Sequence, residues 1–187
     1  MHKVKILGIA GSLRKTSFNR SALLAAQRLL PDDAELTIIG LEGIPIFNQD
    51  DEAAPPPAVF EFKRRILAAD AILFATPEYN YSLPGALKNA IDWGSRPYGE
   101  SVWAGKPAAM LGASVGALGT ARAQYHLRQI LVALNMPAVI QPEVMIGNAA
   151  QRFDELGTLT DEPTRQFIQK LLAALVQLAR LSMTNHG

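Results

Sequence analysis

The sequence predicts a doubly wound α/β domain: five parallel strands with helices on both faces. Three observations carry that prediction. Short apolar runs alternate with longer segments whose apolar residues fall at helical spacing, from Val4 to the end of the chain. Three loops that follow strands are rich in Gly, Ser, Thr, Asn and Pro. The chain has 187 residues, 49% of them hydrophobic and 19% charged, which suits one domain with a sizeable core. Residues 1–187 are therefore read as a single unit.

Val4 to Ala10 is a buried first strand, and Ser21 to Leu30 is a Leu/Ala-rich first helix. Glu35 to Ile39 is a short β-branched second strand. From Leu41 to Pro57, Gly43, Pro45, an acidic trio and three consecutive prolines predict a long surface loop. Val59 to Ala69 places Phe62, Ile66 and Ala69 at helical spacing, and Ala71 to Ala75 is the third strand. In the loop from Thr76 to Gly85, Ser82 is expected to cap a helix with Pro84 in its first turn and Leu87 and Ile91 on one face. Pro107 to Gly112 is the fourth strand, and Ala113 to Thr120 a loop of small residues. The next helix puts Leu127, Ile130, Leu131 and Leu134 on one face. Ala138 to Ile146 is the fifth strand, interrupted at Pro142, and a helix from about Thr160 closes the chain. Five strands in this length suit the flavodoxin-like order 2-1-3-4-5. In that order the loops after strands one, three and four share one sheet edge, where FMN binds at the switch point between strands one and three.

The first of these loops, Gly11-Ser12-Leu13-Arg14-Lys15-Thr16-Ser17-Phe18-Asn19-Arg20, carries the most chemistry. It offers Ser12, Thr16, Ser17 and Asn19 as hydroxyl or amide donors and Arg14, Lys15 and Arg20 as cations. Free N–H groups and the positive end of a helix dipole make such a turn an anion site. An ordinary turn capped by Ser17 or Asn19 would use the same residues. The segment lacks the Gly-Lys-Ser/Thr of a triphosphate loop and the G-x-G-x-x-G of a dinucleotide site. A terminal monophosphate remains, and FMN carries one.

Composition excludes several classes. A net charge of +1, with no basic stripe, argues against nucleic acid and anionic membranes as partners. The absence of Cys excludes disulfides, thiolate metal sites and a thiol nucleophile. His2, His126 and His186 are too scattered to suggest a metal site. No signal peptide or spanning segment is evident, so a cytoplasmic location is expected.

Four stretches carry a family resemblance: Gly11 to Asn19, the run Thr-Pro-Glu-Tyr-Asn-Tyr-Ser-Leu-Pro-Gly-Ala-Leu-Lys-Asn-Ala-Ile-Asp-Trp over 76–93, Ala-Gly-Lys-Pro over 104–107, and Gln124 to Leu131. With them the chain resembles the NADPH-dependent FMN reductase family, in particular its chromate/quinone reductase branch. The similarity runs from about residue 3 to 146; the loop at 41–57 and the last helix match loosely. The resemblance implies that Ser12, Arg14, Ser17 and Asn19 hold the FMN phosphate, with Phe18 also at the cofactor. Pro77, Glu78, Tyr79 and Asn80 would line the isoalloxazine edge, and Ser114 and Gly116 would close its other side. It further implies a homodimer or homotetramer, with Tyr81, Arg122, Tyr125 and Glu143 between subunits.

The chemistry then belongs to FMN: hydride arrives from NADPH or NADH and leaves to a quinone, free flavin, azo compound or chromate by a ping-pong route. No side chain is required as nucleophile or base, so no catalytic residue is assigned, and Glu78 is read as positional. Arg122 and Glu143 are expected to pair across an interface, or else to stand as exposed charges. His126 is read as a surface or core-edge residue, and Trp93 and Trp103 as structural or pocket-wall residues. One alternative is an FMN-binding electron carrier without nicotinamide turnover. Carriers of this fold are usually strongly acidic, and +1 argues against it. Another is a non-redox binder of phosphate ligands.

Overall fold

A computed structural model describes residues 3–184. The strands are β1 (Val4–Ala10), β2 (Ala34–Ile39), β3 (Ala71–Ala75), β4 (Ala108–Ala113) and β5 (Val144–Ile146). The helices are α1 (Phe18–Arg28), α2 (Pro57–Leu67), α3 (Gly85–Gly94), α4 (Ala121–Ala133) and α5 (Glu162–Thr184). All strand pairs are parallel and the order is β2-β1-β3-β4-β5, as the alternation predicts. His2 and His186 lie outside the described residues.

The sheet is buried on both faces, which is why β3 and β4 are apolar at every position and fully buried. Successive residues of β3 serve opposite layers. Leu73 packs with Leu23 of α1 and Leu172 and Leu175 of α5. Ile72 and Phe74 pack with Phe62 of α2, Ile91 of α3 and Leu127 of α4. Edge strand β2 alternates buried and exposed residues instead. Both tryptophans belong to the core. Trp103 is fully buried and donates from Nε1 to the Ile91 carbonyl at 3.0 Å. Trp93 donates to the Pro45 carbonyl at 2.8 Å, and Asn89 accepts the Phe47 N–H at 2.7 Å. These bonds pin the long 41–57 loop, which contains one short 3-10 turn at Gln49–Asp51, against α3.

Local expectations needed correction at three places. The fifth strand is three residues long rather than nine: Pro142 has no N–H to give, and Arg128 takes the Val139 and Ile140 carbonyls at 3.0 and 3.4 Å. Helix α1 begins at Phe18, three residues earlier than expected, because Ser17 is its N-cap. Helix α3 has Pro84 at its N-cap position and no side-chain cap. Ser82, expected to cap it, bonds His126 Nδ1 at 2.9 Å instead.

Candidate functional site

The loops after β1, β3 and β4 meet at the carboxyl edge of the sheet. The first leaves β1 at Gly11, whose N–H donates to the Ala75 carbonyl at 2.9 Å. A Cβ there would lie 3.0 Å from that oxygen and 3.3 Å from Pro77, so glycine lets the loops after β1 and β3 start side by side. Ser17 closes the loop, accepting from the N–H groups of Asn19 (3.2 Å) and Arg20 (3.4 Å). Leu13, Arg14, Lys15 and Thr16 are exposed. Among the described residues, the N–H groups of Leu13, Lys15 and Thr16 have no hydrogen-bond partner, and α1 has no acidic residue in its first turn. Among the described residues the Arg14 guanidinium reaches only the Thr16 hydroxyl, at 3.5 Å. This is a concentration of unspent donors at a helix N-terminus, as a phosphate requires.

Three residues assigned to the cofactor by resemblance also make contacts within the chain. The Asn19 side chain is 3% exposed; its Nδ2 donates to the Ala113 carbonyl at 3.0 Å, and its Oδ1 accepts the Ala113 N–H at 2.8 Å. It ties α1 to the end of β4. The Phe18 ring lies 5.4 Å from that of Phe153. Ser12 is buried, and its Oγ accepts the Arg14 N–H at 3.3 Å.

The second loop is a tight hairpin. Tyr79 and Ser82 exchange two backbone hydrogen bonds of 3.0 Å around a two-residue tip. Asn80 (φ 49°) and Tyr81 (φ 69°) are both left-handed, as a type I′ turn demands. Asparagine adopts that geometry readily; a tyrosine there is strained and must be held. Arg122 holds it, with its guanidinium carbon 3.7 Å from the Tyr81 ring centroid. Pro77 is buried, and its carbonyl accepts the Thr76 hydroxyl at 2.8 Å. The N–H groups of Glu78 and Asn80 have no partner among the described residues.

The Glu78 side chain is 5% exposed and pairs with Arg122. Its Oε2 accepts the backbone N–H groups of Arg122 and Ala123 at 3.0 and 3.2 Å, so Glu78 caps α4 from another loop. Its hydrogen bond raises the Arg122 pKa above the ordinary value. Within the chain Arg122 pairs with Glu78 and not with Glu143, and the expected pairing of Arg122 with Glu143 concerns two subunits. Glu143 instead lies 3.6 Å from Arg128 and accepts from the Tyr125 hydroxyl at 3.3 Å.

Near the end of β4, before the third loop, a Cβ on Gly112 would stand 1.9 Å from Thr120 Oγ1 and 2.3 Å from the Thr76 carbonyl oxygen, so only glycine permits the approach of the second loop and α4. Ser114 Oγ accepts the Gly116 N–H at 3.2 Å. Between the second and third loops lies a cleft of about 450 Å³, lined by Glu78, Asn80, Tyr81, Ser114, Gly116, Leu118 and Arg122 among others. Arg14, Ser17 and Phe18 line a separate depression of about 530 Å³, with Arg20 and the segment Phe153–Gly157. Sequence reasoning missed that segment and Leu118; neither carries a motif. The left-handed tip at Asn80 has a sequence signal, since Asn tolerates that conformation, but sequence reasoning gives it only as part of a loop.

The donor set fits FMN: a phosphate loop with free N–H groups and an arginine, at the same sheet edge as a cleft lined by Glu78 and Asn80, whose N–H groups are unpaired among the described residues. Among the described residues, no helix is long and apolar enough to cross a membrane.

The family model for NADPH-dependent FMN reductases matches residues 4–151. A NAD(P)H-dependent FMN reductase of Pseudomonas aeruginosa is 54% identical over 173 residues, covering 92% of this chain and 93% of that one. A quinone reductase of Pseudomonas putida is 46% identical over 175 residues, covering 93% and 94%. The solved structure of FerB, a flavoenzyme NAD(P)H:(acceptor) oxidoreductase from Paracoccus denitrificans, matches with a TM-score of 0.88 at 38% identity, covering 96% of this chain and 98% of that one. A switch-point cleft, a donor-rich loop beside it and close likeness along nearly the whole chain agree: the chain belongs to the NADPH-dependent FMN reductase family.

Proposed function

We propose that this enzyme, an FMN-dependent NAD(P)H oxidoreductase, reduces quinones in two-electron steps, the nicotinamide and the oxidant taking turns in the cleft between the second and third loops. The observation that carries the reading is the 450 Å³ cleft lined by Glu78, Asn80, Ser114 and Gly116 at the same sheet edge as the Ser12–Ser17 loop, with the Glu78 and Asn80 N–H groups unpaired among the described residues. Relatives named quinone reductase support the choice of oxidant. Free flavin, azo compounds and chromate are further oxidants that so open a site would admit.

Bound FMN supplies a two-electron carrier that accepts from the nicotinamide and gives to the oxidant. The chain's residues bind, orient and stabilise charge. Arg14 and the Leu13, Lys15 and Thr16 N–H groups would hold the phosphate, in a loop that Ser17 closes by capping α1. Pro77 and Tyr79 shape the ring edge, and Glu78 and Asn80 present N–H groups where negative charge develops on reduction. Ser114 and Gly116 form the opposite wall. Both oxygens of the Glu78 carboxylate are engaged by donors of α4, which supports a positional role for this residue.

The exposed rings of Tyr81 and Tyr125, with Arg122 and Glu143, form the surface on which a second copy would pack as a homodimer or homotetramer in the cytoplasm. Light scattering over a dilution series tests this; a monomer throughout would overturn it.

The test of function is an anaerobic spectrum of the FMN-loaded protein. One equivalent of NADPH should bleach the flavin band within seconds, and benzoquinone should restore it. A band that neither NADPH nor NADH bleaches would favour an electron carrier, and a protein that takes up no FMN would overturn the reading.

A further inference from the structure

Glu78 and Arg122 belong to different loops, 44 residues apart, yet every polar atom of the carboxylate is used. Oε2 receives the first free N–H groups of α4, and Oε1 receives the guanidinium. Thr120, at the N-cap position of α4, makes no side-chain cap, so the start of this helix depends on Glu78. The guanidinium in turn packs on the ring of left-handed Tyr81. One helical turn further along the same face, His126 Nδ1 meets Ser82 Oγ at 2.9 Å. Helix α4 thus grips the hairpin at both its ends, and the hairpin carries the Glu78 and Asn80 N–H groups. Apart from the Tyr81 phenol, Glu78 and Arg122 are the ionisable groups among the residues lining the cleft, and their charges cancel.

We propose that the Glu78–Arg122 pair positions the Asn80–Tyr81 turn and sets the charge of the cleft, holding its wall neutral so that peptide N–H groups, not a free cation, meet the charge that arrives with reduction. The inference rests on the placement of FMN proposed above. A nearly buried carboxylate would be costly if left alone, and an unmasked guanidinium would favour the reduced, anionic cofactor. Each partner therefore conceals the other's effect on the reduction potential.

The test is the reduction potential of bound FMN at pH 8.5 in four variants. Glu78→Gln should raise the potential, because Arg122 is unmasked. Arg122→Gln should lower it, because Glu78 is unmasked, and the double variant E78Q/R122Q should return towards the native value. Arg122→Lys keeps the charge and should stay near native. A merely structural role would shift both single variants in the same direction and the double variant further still; that pattern, or no shift in either, overturns the proposal. If Arg122→Gln fails to fold, Glu78→Gln against Arg122→Lys still decides. Amide exchange in the FMN-free chain tests the pairing separately. Glu78→Gln should cost the Arg122 and Ala123 amides roughly tenfold of protection, and unchanged protection would overturn the capping role. A native protein that binds no FMN would instead refute the placement of the cofactor.

Discussion

Replacing Asn19 with alanine separates two roles for one residue. In the fold, Asn19 bonds both the N–H and the carbonyl of Ala113, at 2.8 and 3.0 Å, and is 3% exposed. Strand β3 pairs with β4 only as far as Leu111, so beyond that point the side-chain amide stands in for a neighbouring strand. Asn19→Ala would leave two main-chain groups without partners, each costing about 1–3 kcal/mol. Water entering from the cleft edge would recover part of that, so a net loss of about 3 kcal/mol is expected. In a chain of this size that corresponds to a fall in Tm of roughly 6–12 °C. The assay is urea and thermal unfolding of the FMN-free protein, with Ser17→Ala as a comparison expected to cost about 1 kcal/mol through its cap. If Asn19 instead served the phosphate, Asn19→Ala would leave FMN-free stability almost unchanged and weaken only FMN binding. A stability loss below about 1 kcal/mol would refute the tie between α1 and β4.

Two further outcomes are expected. Arg14→Ala should weaken FMN binding by roughly 1–3 kcal/mol while sparing riboflavin, which lacks the phosphate; equal loss for both in fluorescence titrations would refute the phosphate role. Asp161, one residue before α5, accepts the Thr164 N–H at 3.0 Å and its hydroxyl, and pairs with Arg152 at 2.7 Å. The Thr164 hydroxyl, foremost, holds the Asp161 carboxyl below its ordinary 3.8. Its stabilisation is therefore complete above that pH and lost as pH falls through the depressed folded value. Asp161→Ala should cost about 1 kcal/mol at neutral pH, with the two unfolding curves converging in acid; a constant gap down to pH 2 would refute the assignment.

The sequence by itself determined the alternation of elements, the strand order and the three loops gathered at the candidate site. Strands β1 and β3 lie where their apolar runs lie, because a parallel strand buried on both faces can contain little else. The donors of Ser12–Ser17 were legible because the pattern is local: a strand, a polar turn and a helix start in one short stretch. The tertiary structure alone decided partners. Ser82 had the right residue type and spacing to cap α3, and the hairpin took it to His126 instead. Asn19 was one amide among several donors until the fold set it against Ala113. Arg122 was matched in the sequence only with Glu143, and its pairing with Glu78 followed from where the β3 loop lands on α4. Helical and strand periods are written along the chain and can be read from it. A hydrogen bond between residues dozens of positions apart depends on the packing that brings them within about 3 Å, and no local pattern encodes that distance.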